Sequence, residues 1–271
     1  MRDSKTAAKN AAAGETWSPI VELRQYTLHP GKRDLLIELF DREFVESQEA
    51  LGMKVIGQFR TLDDPDRFIW LRGFPDMPTR ACALEAFYDG PVWKLHRDAA
   101  NATMIDSDNV LLLRPARPGS GFVLDGERPP PGSEKIPEGL VVATIYQLDE
   151  SQADDFAVFF EHALAPVLTD AGASILAVLV TENAPNNFLR LPIREGEHVL
   201  VCFTAFADEP GYDRHRTALA ETTVWAELAR ELGPGPQRDA ETWRLRPTAR
   251  SQFTGRQALG AQLGSGRWNG S

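Results

Sequence analysis

The stretch VELRQYTLHPGK, residues 21–32, decides the fold. Val21 and Leu23 alternate with Glu22, Arg24 and Tyr26, the period-two pattern of a strand whose two faces differ. Pro30 and Gly31 then turn the chain. A wetted strand face carries small polar residues. An acid, a guanidinium and a phenol in a row read instead as the lining of a surface that holds something.

Outward from this strand, Leu35, Leu36, Leu39, Phe40 and Phe44 recur at helical spacing. KVIGQFRTL (54–62) and RFIWLRGF (67–74) flank DDPD and read as a hairpin. A helix from about Thr79 breaks at DGPVW and restarts at Pro91, a residue suited to a first helical turn. NVLLLRP (109–115) closes the unit, giving the order β-α-β-β-α-β of the split ferredoxin-like motif.

The order then repeats. LVVATIYQL (140–148) is a strand, and Phe156, Phe159, Phe160, Ala163, Leu164, Val167 and Leu168 mark an amphipathic helix. SILAVLVTE (174–182) and HVLVCFTAF (198–206) are strands, a helix spans about Tyr212 to Leu232, and ETWRLRP (241–247) ends the unit. Tyr26 aligns with Tyr146, Phe74 with Phe206, and LRP at 113–115 with LRP at 245–247. ENAPNNFLRLPIREGE takes the place of DDPD, an insertion at a hairpin tip. The expected organisation is an N-terminal tail (1–18), a first repeat (19–116), a Pro/Gly-rich linker (117–138), a second repeat (139–248) and a flexible C-terminal tail (249–271).

A four-stranded sheet with two helices covers one face with its own chain and leaves the other bare. Parity puts Val21, Leu23, Ile69, Leu71, Val141, Ala143, Val201 and Phe203 on one side, expected to lie under the helices. Glu22, Arg24, Tyr26, Phe68, Trp70, Arg72 and Phe74, with Val142, Thr144, Tyr146, Leu200, Cys202, Thr204 and Phe206, form the opposite side. That set is too aromatic to stay exposed. The expected fold is therefore α+β: two ferredoxin-like β-α-β-β-α-β repeats fused into one pseudo-dimeric α+β barrel, with the charged set facing a cavity between the repeats.

VELRQYTLHPGK, IWLRGF, DGPVWKL and LLLRP together resemble the NIPSNAP family over about residues 19–116, and residues 139–248 look like a diverged copy with Val142 and Thr144 in place of the acid and the arginine. The resemblance implies the dimeric α+β barrel group. Some members of that group oxidise aromatic substrates without a cofactor, whereas others hold haem or only associate. It implies no single activity.

Bulk composition narrows the classes. The 29 basic against 39 acidic residues give a net charge of −10, which argues against nucleic acid and anionic membranes as partners. No apolar run is long enough to span a bilayer, and the N-terminus lacks the apolar core of a secretory signal. Two distant cysteines, Cys82 and Cys202, fit a reducing, cytoplasmic setting. The five histidines show no metal-ligand spacing, and no glycine-rich phosphate loop or nucleophile elbow occurs, so neither metal nor cofactor is expected.

The candidate ligand-binding residues are Glu22, Arg24, Gln58, Arg60, Trp70, Arg72 and Tyr146, because arginine holds carboxylate or phenolate in a bidentate fork and tryptophan stacks on planar groups. An internal salt bridge of Arg24 and Arg72 with Glu22 is the plainer reading of the charges. Tyr26 and His96 are the candidate catalytic residues as proton acceptors. The sequence thus points to a barrel that binds a small planar or anionic molecule as its partner. The alternatives are a cofactor-independent monooxygenase or isomerase like the antibiotic-biosynthesis enzymes, and a non-catalytic structural or interaction module. An internal pseudo-dimer is expected, and a further homodimer is compatible with it.

Overall fold

In the computed structural model, which describes residues 18–124, 127–225, 227 and 240–254, the opening stretch is strand β1 (Ile20–Leu28). Gly31 ends it at φ 73°, a left-handed conformation that favours glycine. The first helical segment is not one regular helix. It runs as α1 (Arg33–Leu39), a single π turn (Phe40–Phe44) and α2 (Val45–Glu49). Strands β2 (Lys54–Thr61) and β3 (Arg67–Phe74) form the hairpin. Helix α3 (Met77–Tyr88) starts where the Asp76 carboxylate accepts from the Thr79 N–H at 2.7 Å, and α4 (Pro91–Asn101) follows the break at Gly90. Short β4 (Met104–Asp106) and β5 (Val110–Pro115) complete this half.

The second half has β6 (Leu140–Leu148), α5 (Ala153–Phe159), another π turn (Phe160–Leu164), α6 (Ala165–Asp170), β7 (Ser174–Thr181), β8 (His198–Phe206), α7 (Glu209–Glu221) and β9 (Glu241–Pro247). Beyond α7, residues 223–225 and 227 are helical, and the rest of the helix expected to reach Leu232 lies outside the described residues.

Strands β5-β1-β3-β2 make one sheet and β9-β6-β8-β7 the other. The sheets join at both edges. Phe59 of β2 pairs with Pro247 of β9, and Leu113 of β5 with Thr181 of β7. The result is a closed eight-stranded antiparallel barrel with β4 appended to β1, so the eight barrel strands present no free edge.

The interior of the barrel overturns the expected orientation of the faces. Val21, Leu23, Ile69, Leu71, Val141, Ala143, Val201 and Phe203 pack together inside it with Ile56, Phe59, Leu111 and Leu113. Tyr26, Phe68, Trp70 and Phe74 pack outward under α1, α2, α3 and α4, and Tyr146, Leu200, Cys202 and Phe206 do the same under the second half's helices. The reason is volume: eight strands close on a space that side chains just fill, which suits branched aliphatics. The charged side chains and Trp70 lie in the wider gap between sheet and helices, whereas Phe59 and Phe203 fit among the aliphatics inside. Among the described residues, packed side chains therefore fill the space where a chamber between the halves was expected.

The linker and the start of the C-terminal tail are part of this core. Phe122 and Phe253 are buried with their ring centroids 4.7 Å apart, and Phe122 lies 5.0 Å from Phe203. Arg128 donates to Glu49 Oε1 at 2.7 Å and to the Arg250 carbonyl at 2.9 Å. Arg250 donates to the Pro129 carbonyl and to the Glu46 carboxylate. The flexible tail expected from residue 249 is thus fixed through Phe253; residues 255–271 and 1–17 lie outside the described residues.

Candidate anion site

Strand register assembles the site. Across β1 and β3, Glu22 lies opposite Arg72, Arg24 opposite Trp70 and Tyr26 opposite Phe68. Because alternate residues share a face, all six point toward the helices. Glu22 is fully buried and receives three guanidiniums. Its Oε2 accepts from Arg24 Nη1 at 2.8 Å and Arg72 Nε at 2.7 Å, and its Oε1 accepts from Arg80 Nε at 2.7 Å. Burial alone would raise the carboxyl pKa, but Arg72, Arg24 and Arg80 outweigh it and hold Glu22 far below the usual carboxylate range.

One carboxylate faces three guanidiniums, a formal excess of two positive charges. Among the described residues, Glu22 is the carboxylate that pairs with these arginines. Arg24 is fully engaged, since its Nε also donates to the Tyr26 hydroxyl at 3.0 Å and its Nη2 to the Ser107 carbonyl at 3.4 Å. The other two are not. Arg72 gives Nη1 to Gln48 Oε1 at 3.1 Å and Arg80 gives Nη1 to two asparagine amides, but Nη2 of each is buried without a hydrogen-bond partner. The indole N–H of Trp70 is likewise unpartnered. Burial lowers the Arg80 pKa, Glu22 opposes that, and Arg72 and Arg24 add to it. Arg80 is under-compensated.

Against this cluster lies a small cavity of about 30 Å³ lined by Tyr26, Phe40, Phe44, Gln48, Trp70 and Tyr88, among others. Room of that size holds a water or two. The π turn brings Phe40 and Phe44 onto one wall; Phe40 meets Trp70 at 4.7 Å between centroids. The guanidiniums of Arg24 and Arg72 lie 5.6 and 5.3 Å from the Trp70 ring, so the indole sits between two cations. The cavity and the charge cluster share Trp70, Gln48 and Tyr26 as a common wall.

Of the residues singled out in the sequence, Glu22, Arg24, Tyr26, Trp70 and Arg72 meet here; the others do not. Gln58 donates to Asp41 Oδ1 at 2.9 Å, and Arg60 is paired with Asp34, so both fasten β2 to α1 and the π turn. Tyr146 lies in the second half against Phe156 and Phe160, where burial raises its pKa. His96 is on α4 with Nε2 3.4 Å from Glu43, and it does not line the cavity. Burial likewise raises the pKa of Tyr26, with Arg24 opposing, which leaves it a phenol at neutral pH.

Arg80, Gln48 and Asn186–Asn187 belong to the site without having been singled out. Arg80 does carry a signal in the sequence: it shares the buried face of α3 with Ala83, Leu84 and Phe87, where a charge must be paired. Gln48 similarly follows buried Phe44 and Val45 at helical spacing. The asparagines lie in a loop, where no periodicity points to a partner.

The closed barrel with helices outside it is the architecture of the dimeric α+β barrel fold. A provisionally assigned monooxygenase from Lactobacillus acidophilus NCFM shares it at a TM-score of 0.51 and 13% identity, over 85% of this chain and 94% of that one. An anthrone oxidase-like protein does so at 0.53 and 13% identity, over 87% of this chain and 95% of that one. Residues 21–118 match the NIPSNAP family model. A NIPSNAP family protein from Agrobacterium tumefaciens str. C58 aligns at 24% identity and a TM-score of 0.33, over 35% of this chain and 91% of that one. No curated protein matches the chain.

Proposed function

We propose that this protein binds a small aromatic acid in the first half, between the sheet and helices α1 to α4, with the carboxylate drawn to Arg72 and Arg80 and the ring among Trp70, Phe40 and Tyr88. The observation that carries this reading is the buried excess of two positive charges beside an aromatic cavity, with donors left unmade on Arg72, Arg80 and Trp70. A buried donor without a partner costs about 1–3 kcal/mol, more when charged, so a fold that keeps three of them invites an acceptor. The cavity is narrower than a benzoate, so its walls must move apart to admit one. Tyr26 accepts from Arg24, which leaves its own proton to give to a ligand.

Calorimetric titration with benzoate and with benzamide tests the proposal. Benzoate should bind and raise the melting temperature, and benzamide, the same shape without the charge, should do neither. Arg72→Met should abolish benzoate binding. Equal binding of the two probes, or benzoate binding unchanged in Arg72→Met, counts against the site.

The relatives by fold include one named as a monooxygenase and one named as anthrone oxidase-like, which keeps a cofactor-independent monooxygenase as a second reading. The described residues around the cavity favour binding over turnover, since its polar groups are phenols, an amide and indoles, with no carboxylate or imidazole among them. Benzoate-dependent oxygen uptake would reverse that preference.

Several paired features support tandem duplication as the origin of the two halves. The π turns at Phe40–Phe44 and Phe160–Leu164 and the bulges at Val55–Gly57 and Ile175–Ala177 share one offset. The capping aspartates Asp76 and Asp208 recur with equivalent geometry. The second copy has Val142, Thr144 and Thr204 where the first has Glu22, Arg24 and Arg72, so one anion site per chain is proposed. Free Cys82 and Cys202 favour a cytoplasmic location. No helix among the described residues is long and apolar enough to cross a membrane.

A further inference from the structure

The inserted tip between β7 and β8 leaves its own half. Asn186 and Asn187 accept from Arg80 Nη1 at 3.2 and 2.7 Å, and the Asn187 amide donates back to the Met77 carbonyl at 2.6 Å. Phe188 is buried and stacks on Tyr88 with centroids 5.8 Å apart and planes 28° from parallel. Arg190 grips Asp89 through two hydrogen bonds of 2.8 and 3.1 Å, and its guanidinium covers the Phe188 ring at 4.8 Å. Every one of these partners is on α3 or just after it, in the first half. A loop of one half therefore covers the charge cluster of the other.

Its chemistry is telling. The groups laid on Arg80 are neutral amides, which satisfy two hydrogen bonds and cancel none of the surplus charge. They also set the direction of the guanidinium fork: Nε is held by Glu22 and Nη1 by the asparagines, which leaves Nη2 unpaired. An aspartate at either position would have closed the site with an internal ion pair. Asn187 is exposed, so the path from solvent to Arg80 passes it.

We infer that the 182–197 segment completes the first half's site: Asn186 and Asn187 position Arg80 to receive a carboxylate without neutralising it, and Phe188 closes the aromatic wall over the ligand. The inference rests on the aromatic-acid reading above. The second half, which has Val142, Thr144 and Thr204 at the matching positions, contributes this loop instead. Bound carboxylate takes the free Nη2 of Arg72 and Arg80 while the amide bonds on Nη1 persist, so Arg80 links ligand and loop.

The test is benzoate titration of the intact protein against Asn187→Asp, with Asn186→Asp as an independent variant. Each places a carboxylate on Arg80 where an amide stood. Both are expected to keep or raise the melting temperature and to weaken benzoate at least tenfold. Phe188→Ala should speed benzoate release more than it slows uptake. A loss of benzoate binding with the fold intact is a charge effect that a purely structural loop would not produce. Wild-type affinity in both aspartate variants, with Arg72→Met still abolishing binding, overturns the role of the loop and leaves the site standing. Failure of the wild-type protein to bind benzoate overturns the site, and the loop's role falls with it.

Discussion

Glu22 is the residue on which the first half depends, because among the described residues it is the one carboxylate that answers three buried cations. Replacing a buried partner leaves its counter-charges uncompensated, at a cost of about 3–5 kcal/mol. Glu22→Gln is expected to lose that much in urea unfolding, far more than Glu38→Gln at an exposed surface pair. Its depressed pKa makes the contribution complete above about pH 4.3, the ordinary glutamate value, and lost only as pH falls through the lower folded-state value. Asp41 acts in the opposite sense. Burial pushes its pKa up to about 6 although Arg250 and Gln58 oppose that, so the folded state holds a proton that the unfolded chain has released. Stability from Asp41 is whole below about pH 4 and lost as pH rises through about 6. Asp41→Asn keeps the acceptor for Gln58 and should flatten melting temperature against pH across that window; an unchanged profile would contradict the shift. The two thiols also separate: burial pushes Cys202 up to about 12, whereas Cys82 is exposed. Iodoacetamide should label one thiol per native chain and two after denaturation.

At the scale of elements, the strands, the hairpins and the two-helix order were legible because periods of 2 and 3.6 residues separate strand from helix. Which face of a strand turns inward was not, since alternation defines two faces without assigning them. Side-chain character held the answer: Val21, Leu23, Val141 and Ala143 fill a closed barrel together with Phe59 and Phe203, whereas the opposite face carries the bulky Trp70 and the charged Glu22, Arg24 and Arg72. Glu22, Arg24, Tyr26, Trp70 and Arg72 were legible as one set because strand parity puts them on one face whichever way it turns. Gln58 and Arg60 lie apart from that set because parity cannot foresee a helix-borne carboxylate such as Asp41 or Asp34 taking the side chain first. The inward assignment of the aliphatic face has a direct consequence. Phe203→Ala empties the barrel centre and should cost about 3–5 kcal/mol. Val158→Ala on exposed α5 should stay within about 0.5 kcal/mol. Equal effects in denaturant melts would mean that the barrel is not the packed core.

The whole molecule holds together because neither sheet closes alone. Residues 18–124 by themselves would lose the β2–β9 and β5–β7 pairings and expose Leu23, Ile69 and Leu71 to water. This fragment is expected to self-associate in light scattering, and a stable monomer would contradict the mutual dependence of the halves. The same closure explains why the proposed site lies off the barrel axis: side chains fill the barrel interior, and the charge excess lies between sheet and helices. A crystal grown with 4-bromobenzoate tests that claim most directly. The account predicts one bromine anomalous peak per chain in the first half, beside Trp70 and Tyr88, with the carboxylate on Arg72 and Arg80. A peak in the barrel or in the second half, or none at saturating ligand, would contradict it.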